Sequence, residues 1–147
     1  MSKNDEKSKK NFHKSDKNSS SFYSQLEEAC KDLIYISETD APVTPFIGNE
    51  TREDHRSALK QLAAGSDGSI SEVQFPQFFE RLTTIKDWHG EREKTRAKKF
   101  LDLQKLIEEN LTDLKVVRIG DVSIRIYAVG FDSEGRLLGI TTNAVET

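Results

Sequence analysis

The last three residues of the chain, Val145-Glu146-Thr147, set a Glu carboxylate, a Thr hydroxyl and a terminal carboxylate together after a stretch of strand character. These are hard oxygen ligands of the kind Mg²⁺ and Ca²⁺ accept, so the cluster suits the capping of a metal held by another protein. A frayed tail is the commoner use of a terminus. A second oxygen-rich segment, Ser37-Glu38-Thr39-Asp40, places two acids in a turn after a short apolar run. In a third, Asp87-Trp88-His89-Gly90, the only tryptophan sits in a polar connection. A Trp so placed either anchors a partner or folds back over the core.

Catalytic constellations are missing from the sequence. It has no glycine-rich phosphate loop, no Gly-x-Ser-x-Gly, no His-Glu-x-x-His and no Cys-x-x-Cys. His89 and Glu91 have the spacing of a zinc deaminase pair, without the cysteine half of that motif. His55, after Glu53 and Asp54, reads as part of a solvated charged helix face. Cys30 falls on an apolar stripe, where it serves as a small core residue. The reading is a non-enzyme without a cofactor.

The elements that would position these groups follow from hydrophobic periodicity. Residues 1–20 carry Lys3, Lys7, Lys9, Lys10, Lys14 and Lys17 against Asp5, Glu6 and Asp16, a composition too polar to order itself. They are expected to form a disordered basic tail before a single domain over 21–147. Since the tail is +3 and the whole chain −3, the domain carries −6. That charge disfavours direct nucleic-acid contact and steers the domain towards basic surfaces, including those of proteins that bind nucleic acid. No apolar run approaches the roughly 20 residues of a membrane span, and no signal-peptide core is present, so the simplest address is the cytoplasm.

Within the domain, Phe22, Leu26, Ala29 and Cys30 mark a first helix over about 22–32, with Ser24 and Glu27 at capping-box spacing. Leu33 to Ile36 reads as a short buried strand, followed by turns around Pro42 and Pro45. A narrow stripe of Ala58, Leu59, Leu62 and Ala63 suggests a helix over 51–64, and Gly65 to Gly68 a loop. Val73 to Phe75 has strand character, and Pro76 opens a helix facing the core with Phe78, Phe79 and Leu82. Ala97, Phe100, Leu103 and Ile107 define the longest helix, over 90–110. Strands over 114–119, 122–130 and 136–142, separated by short turns, make an antiparallel meander. The sum is an α+β domain; helices on both faces of the sheet would make it a three-layer α/β/α sandwich.

Several of these stretches, in order, resemble the nuclease A inhibitor family. They are Leu33-Ile34-Tyr35-Ile36-Ser37-Glu38, Phe78-Phe79 with Asp87-Trp88, the helix bearing Phe100, Leu103 and Ile107, Val117-Arg118-Ile119-Gly120, Tyr127-Ala128-Val129-Gly130, Gly139-Ile140-Thr141-Thr142 and Val145-Glu146-Thr147. The resemblance implies an α/β/α sandwich that inactivates a sugar-non-specific, Mg²⁺-dependent DNA/RNA nuclease in a one-to-one complex, as a monomer when uncomplexed. It further implies that Thr147 approaches the nuclease's Mg²⁺, while Glu38 and Asp87 pair with cationic side chains and Trp88 fills an apolar pocket. Glu146 would add attraction, or turn away with strand alternation. Residues 39–72 depart from the family pattern, and Lys86 puts a positive charge beside Asp87. The competing reading is a non-enzymatic interaction module of the same fold that binds another basic protein through Trp88. A small hydrolase with an unrecognised site using His55 and His89 ranks below both.

Overall fold

A computed structural model of the protein describes residues 14–48 and 69–147, with side chains from residue 21 onward. In chain order the elements are α1 (Lys14–Cys30), β1 (Ile34–Ile36), β2 (Asp40–Pro42), β3 (Thr44–Ile47), β4 (Ile70–Val73), α2 (Phe75–Thr83), α3 (Glu91–Asn110), β5 (Thr112–Ile119), β6 (Ser123–Phe131) and β7 (Leu137–Val145). Strands β5, β6 and β7 form the expected meander. Two more strands flank it, giving an antiparallel five-stranded sheet in the order β3-β7-β6-β5-β4, with β1 and β2 paired separately.

Alternation along β6 assigns the two sheet faces. Ile124, Ile126 and Ala128 point one way, with Val116 of β5 and Leu138, Ile140 and Ala144 of β7. Against that face pack Leu26 of α1, Phe78 and Phe79 of α2, and Phe100, Leu103 and Ile107 of α3. Pro76 fits the first turn of α2, where its missing N–H costs no helical bond. The aromatic side chains there interlock: Phe75 and Phe79 have centroids 4.8 Å apart, Phe78 and Phe79 meet edge-on at 5.3 Å, and Tyr35 stacks on Phe78 at 5.9 Å. Each ring withdrawn from water contributes about 1.5–3 kcal/mol, and such ring pairs about 0.5–1.5 more. At Gly139 φ is +157° and a Cβ would stand 2.1 Å from the Ala128 carbonyl oxygen, so the close approach of β7 to β6 admits only glycine.

The other face carries Val129, Phe131 and Leu137, beside Phe46 and Tyr127. The architecture is therefore mixed α+β, with helices on one face among the described residues. The helix predicted over 51–64 and the loop at 65–68 lie outside the described residues.

Four expectations need correction. The first helix begins at Lys14, so Ser24 and Glu27 lie inside it and cannot cap its start. The segment read as turns around Pro42 and Pro45 contains the strands β2 and β3. Proline is tolerated in β3 because β3 is an edge strand, paired only to β7. The strand expected over 73–75 runs instead over Ile70–Val73, and Phe75 already belongs to α2. Finally, β7 continues to Val145, three residues beyond the expected end, which brings the terminal residues directly off the sheet.

Candidate functional site

The site is built where β7 leaves the sheet. Its last residues are gripped from both sides. The tip of the β1–β2 hairpin supplies Ser37, whose Oγ accepts from the Val145 N–H at 3.0 Å, and the Glu38 N–H, which donates to the Val145 carbonyl at 3.3 Å. On the other side the Glu146 N–H donates to the Val122 carbonyl, in the β5–β6 turn, at 3.0 Å. Ser37 is itself fixed, since its Oγ donates to the Thr39 carbonyl at 2.9 Å. Two hairpin tips thus hold the end of β7, one at its last residue Val145 and the other at Glu146 just beyond it.

Side chains then fix the two residues beyond β7. The Thr147 N–H donates to Glu38 Oε2 at 2.7 Å, and the Thr147 hydroxyl donates to the same carboxylate, 3.0 Å from Oε1 and 3.1 Å from Oε2. Because the hydroxyl proton points at Glu38, the lone pairs of Oγ1 are left for a cation or a donor approaching from outside. Glu146 takes another route. Its Oε1 accepts from Arg118 Nη2 at 2.6 Å. That bond, above all other influences, holds the Glu146 carboxyl below the usual carboxylate range; the nearby positive charge of Arg81 works in the same direction. Tyr35 borders the pair, and burial pushes its phenol up while Arg81 and Arg118 pull it back. Ile36 and Val122, both about half exposed, flank the acidic tip with apolar surface.

Asp87 and Trp88 occupy the connection between α2 and α3. It is closed by two bonds: the His89 N–H donates to the Lys86 carbonyl at 3.0 Å, and the Lys86 N–H donates to His89 Nδ1 at 2.9 Å. Trp88 does not fold back over the core. Its surface is 75% exposed, with the ring edge-on to His89 at 4.2 Å between centroids. The loop leads into α3, whose first turn is capped by Glu93, accepting from the Gly90 N–H at 2.9 Å. Backbone N–H bonds hold Glu93 below its ordinary range. Arg81, whose charge reaches Glu146, is seven residues before Trp88.

The structure therefore brings Glu38, Glu146 and Thr147 together and sets Asp87 and Trp88 on a separate loop. No hydrogen bond or ion pair joins the two groups among the described residues. Sequence reasoning missed Arg118, Ser37 and Val122. Arg118 had a signal: its register opposite Ile126 puts it on the apolar, helix-covered face, where an arginine needs an acid.

Among the described residues no group of three or more His, Cys, Asp or Glu side chains could hold a metal ion, and no helix is long and apolar enough to cross a membrane. Burial pushes the Cys30 thiol up to about 12, the opposite of an activated nucleophile. His89 is committed to its loop, and His55 lies outside the described residues.

A family model described as nuclease A inhibitor-like protein matches residues 20–147, most of the chain. No curated protein matches it.

Proposed function

The chain belongs to the nuclease A inhibitor-like family, and from that premise we propose that it is a non-enzymatic inhibitor that plugs the active site of a Mg²⁺-dependent, sugar-non-specific DNA/RNA endonuclease. The observation that carries this reading is the hold of Glu38 on Thr147, which presents the oxygens of Thr147 at the rim of an acidic tip. A Mg²⁺-dependent nuclease site holds a hard cation, and cationic side chains around it suit a polyanionic substrate. Thr147 stands in for phosphate oxygens at that cation, Glu38 and Asp87 face the Lys and Arg side chains that grip the nucleic-acid backbone, and Trp88 enters an apolar pocket among them. Thr147 is a ligand only towards the partner's metal, since one residue does not hold an ion by itself.

The inhibitor acts as a monomer in a one-to-one complex, in the cytoplasm, without touching nucleic acid. The test is titration of a cognate nuclease with the purified protein. Stoichiometric loss of DNase and RNase activity is expected, and full activity at micromolar inhibitor contradicts the reading. An exposed Trp88 set apart from Thr147 also suits a module that docks on another basic protein. Recovery of such a protein instead of a nuclease in a pull-down would favour that alternative.

A further inference from the structure

We infer that Arg118 is a positioning residue for inhibition: through its ion pair with Glu146 it fixes the direction in which Thr147 leaves the sheet. This rests on the nuclease-inhibitor reading above. Arg118 shares its row of the sheet with Ile126, buried in the helix-covered core, and with Thr142, buried with its hydroxyl donating to the Pro42 carbonyl of β2, and its own side chain is only 17% exposed. A guanidinium held there requires a counter-charge. Glu146 supplies it at 2.6 Å, and its main chain is tied separately to Val122 at 3.0 Å. Residue 146 is thus held at two points, which leaves its successor little freedom.

Strand alternation explains the division of labour. In β7, Ala144 points to the helix-covered face and Val145 away from it, so Glu146 returns to the side where Arg118 lies. Thr147 then leaves towards Glu38, which holds it at its N–H and its hydroxyl. The Arg118 pair and the Glu38 bonds form a clasp around the last two residues. Glu146 is in this view an anchor: its carboxylate, about half exposed, is engaged by the Arg118 guanidinium and is not left as a lone rim charge for the nuclease. Arg118 touches the reaction only through Glu146 and Thr147.

The clasp lowers the ordering that binding must otherwise impose on a chain end, and preorganisation of this kind appears mainly as a slower dissociation. The experiment uses the full chain and a cognate nuclease. Inhibition constants are measured for wild type, Arg118→Met, Arg118→Lys, Glu146→Gln and the double variant Arg118→Met with Glu146→Gln, alongside ¹⁵N relaxation of the Thr147 amide in the uncomplexed protein. Arg118→Met is expected to weaken inhibition about tenfold, to drop the Thr147 order parameter from about 0.85 towards 0.6, and to act no more strongly in the double variant. Arg118→Lys, which keeps the charge, should restore part of both readouts.

Denaturant midpoints within the wild-type range show that the variants are folded, and if Arg118→Met fails this check Glu146→Gln, which removes the same ion pair from the other side, becomes the deciding case. An unchanged inhibition constant together with an ordered Thr147 in folded Arg118→Met, or in folded Glu146→Gln where Arg118→Met does not fold, overturns the inference. So does a loss seen with Arg118→Met but absent from Glu146→Gln, because Arg118 would then act on the partner directly. Failure of wild type to inhibit overturns the nuclease reading itself and the role of Arg118 with it; an intact wild type with indifferent variants overturns the clasp alone.

Discussion

Replacing Glu38 separates holding Thr147 from attracting the nuclease. Glu38 accepts from two donors of Thr147, the backbone N–H at 2.7 Å and the hydroxyl shared between both carboxylate oxygens at 3.0 and 3.1 Å. Hydrogen bonds to a charged group are worth about 1.5–3 kcal/mol when shielded from water. At an exposed tip the value falls, and about 1 kcal/mol for each donor is appropriate. Glu38→Ala removes both, about 2 kcal/mol of preorganisation, which corresponds to roughly a 30-fold rise in the inhibition constant. Glu38→Gln keeps one carbonyl oxygen and presents an amide to the second donor, so about half the loss is expected, roughly fivefold. The assay is progress-curve inhibition of a cognate nuclease with each variant. If Gln and Ala weaken inhibition equally, the charge of Glu38 acts on the partner and the clasp contributes nothing. If neither changes it, Glu38 has no part in binding and the reasoning fails.

Three further outcomes follow from the same geometry. Trp88→Ala should weaken inhibition by a few kcal/mol while leaving the free energy of unfolding in urea within about 0.5 kcal/mol of wild type, because an exposed anchor serves the partner and not the fold; a large loss of stability would place the ring in the core. Cys30, with its thiol pushed up to about 12, should resist alkylation at pH 8 in the folded protein, where only about one molecule in ten thousand is a thiolate, and react on addition of denaturant; rapid labelling of folded protein would contradict its burial. The Glu146 carboxyl is held below its ordinary value by Arg118, so the ion pair's contribution is complete above about pH 4.5 and disappears as pH falls through the lowered folded value. The Glu146 side-chain carboxyl shift, followed by NMR, should therefore titrate below about pH 4.3, and Arg118→Met should move that midpoint up; a wild-type midpoint above pH 5 would refute the assignment.

The sequence was most legible where a single element carried its own pattern. Ala97, Phe100, Leu103 and Ile107 recur at helical spacing and all four are buried in α3. Ile124, Ile126 and Ala128 alternate and form the sheet's inner row. Legibility failed where tertiary context overrides local preference. Pro42 and Pro45 argue for turns, yet an edge position lets them stand in strands. Lys14 to Ser20 looks too polar to order, yet continues α1.

The site divides along the same line. The candidate residues Glu38, Asp87, Trp88, Glu146 and Thr147 came from oxygen-rich or aromatic segments and from the family resemblance, whereas their contacts did not. Glu38 meets Thr147 across 109 residues and Arg118 meets Glu146 across 28, separations at which spacing says nothing. Composition left the Trp88 ring open to either fate. Its exposure depends on how the Lys86 and His89 bonds close the α2–α3 loop.

The most direct test of the plug is to change Thr147 and nothing else. Inhibition of a cognate Mg²⁺-dependent nuclease should be compared for wild type, a variant lacking Thr147, and one with a short extension appended after it. Each change should raise the inhibition constant at least tenfold, about 1.4 kcal/mol, with the denaturant midpoint unaltered. An inhibition constant equal to wild type in both variants would contradict the claim that Thr147 reaches the nuclease's metal.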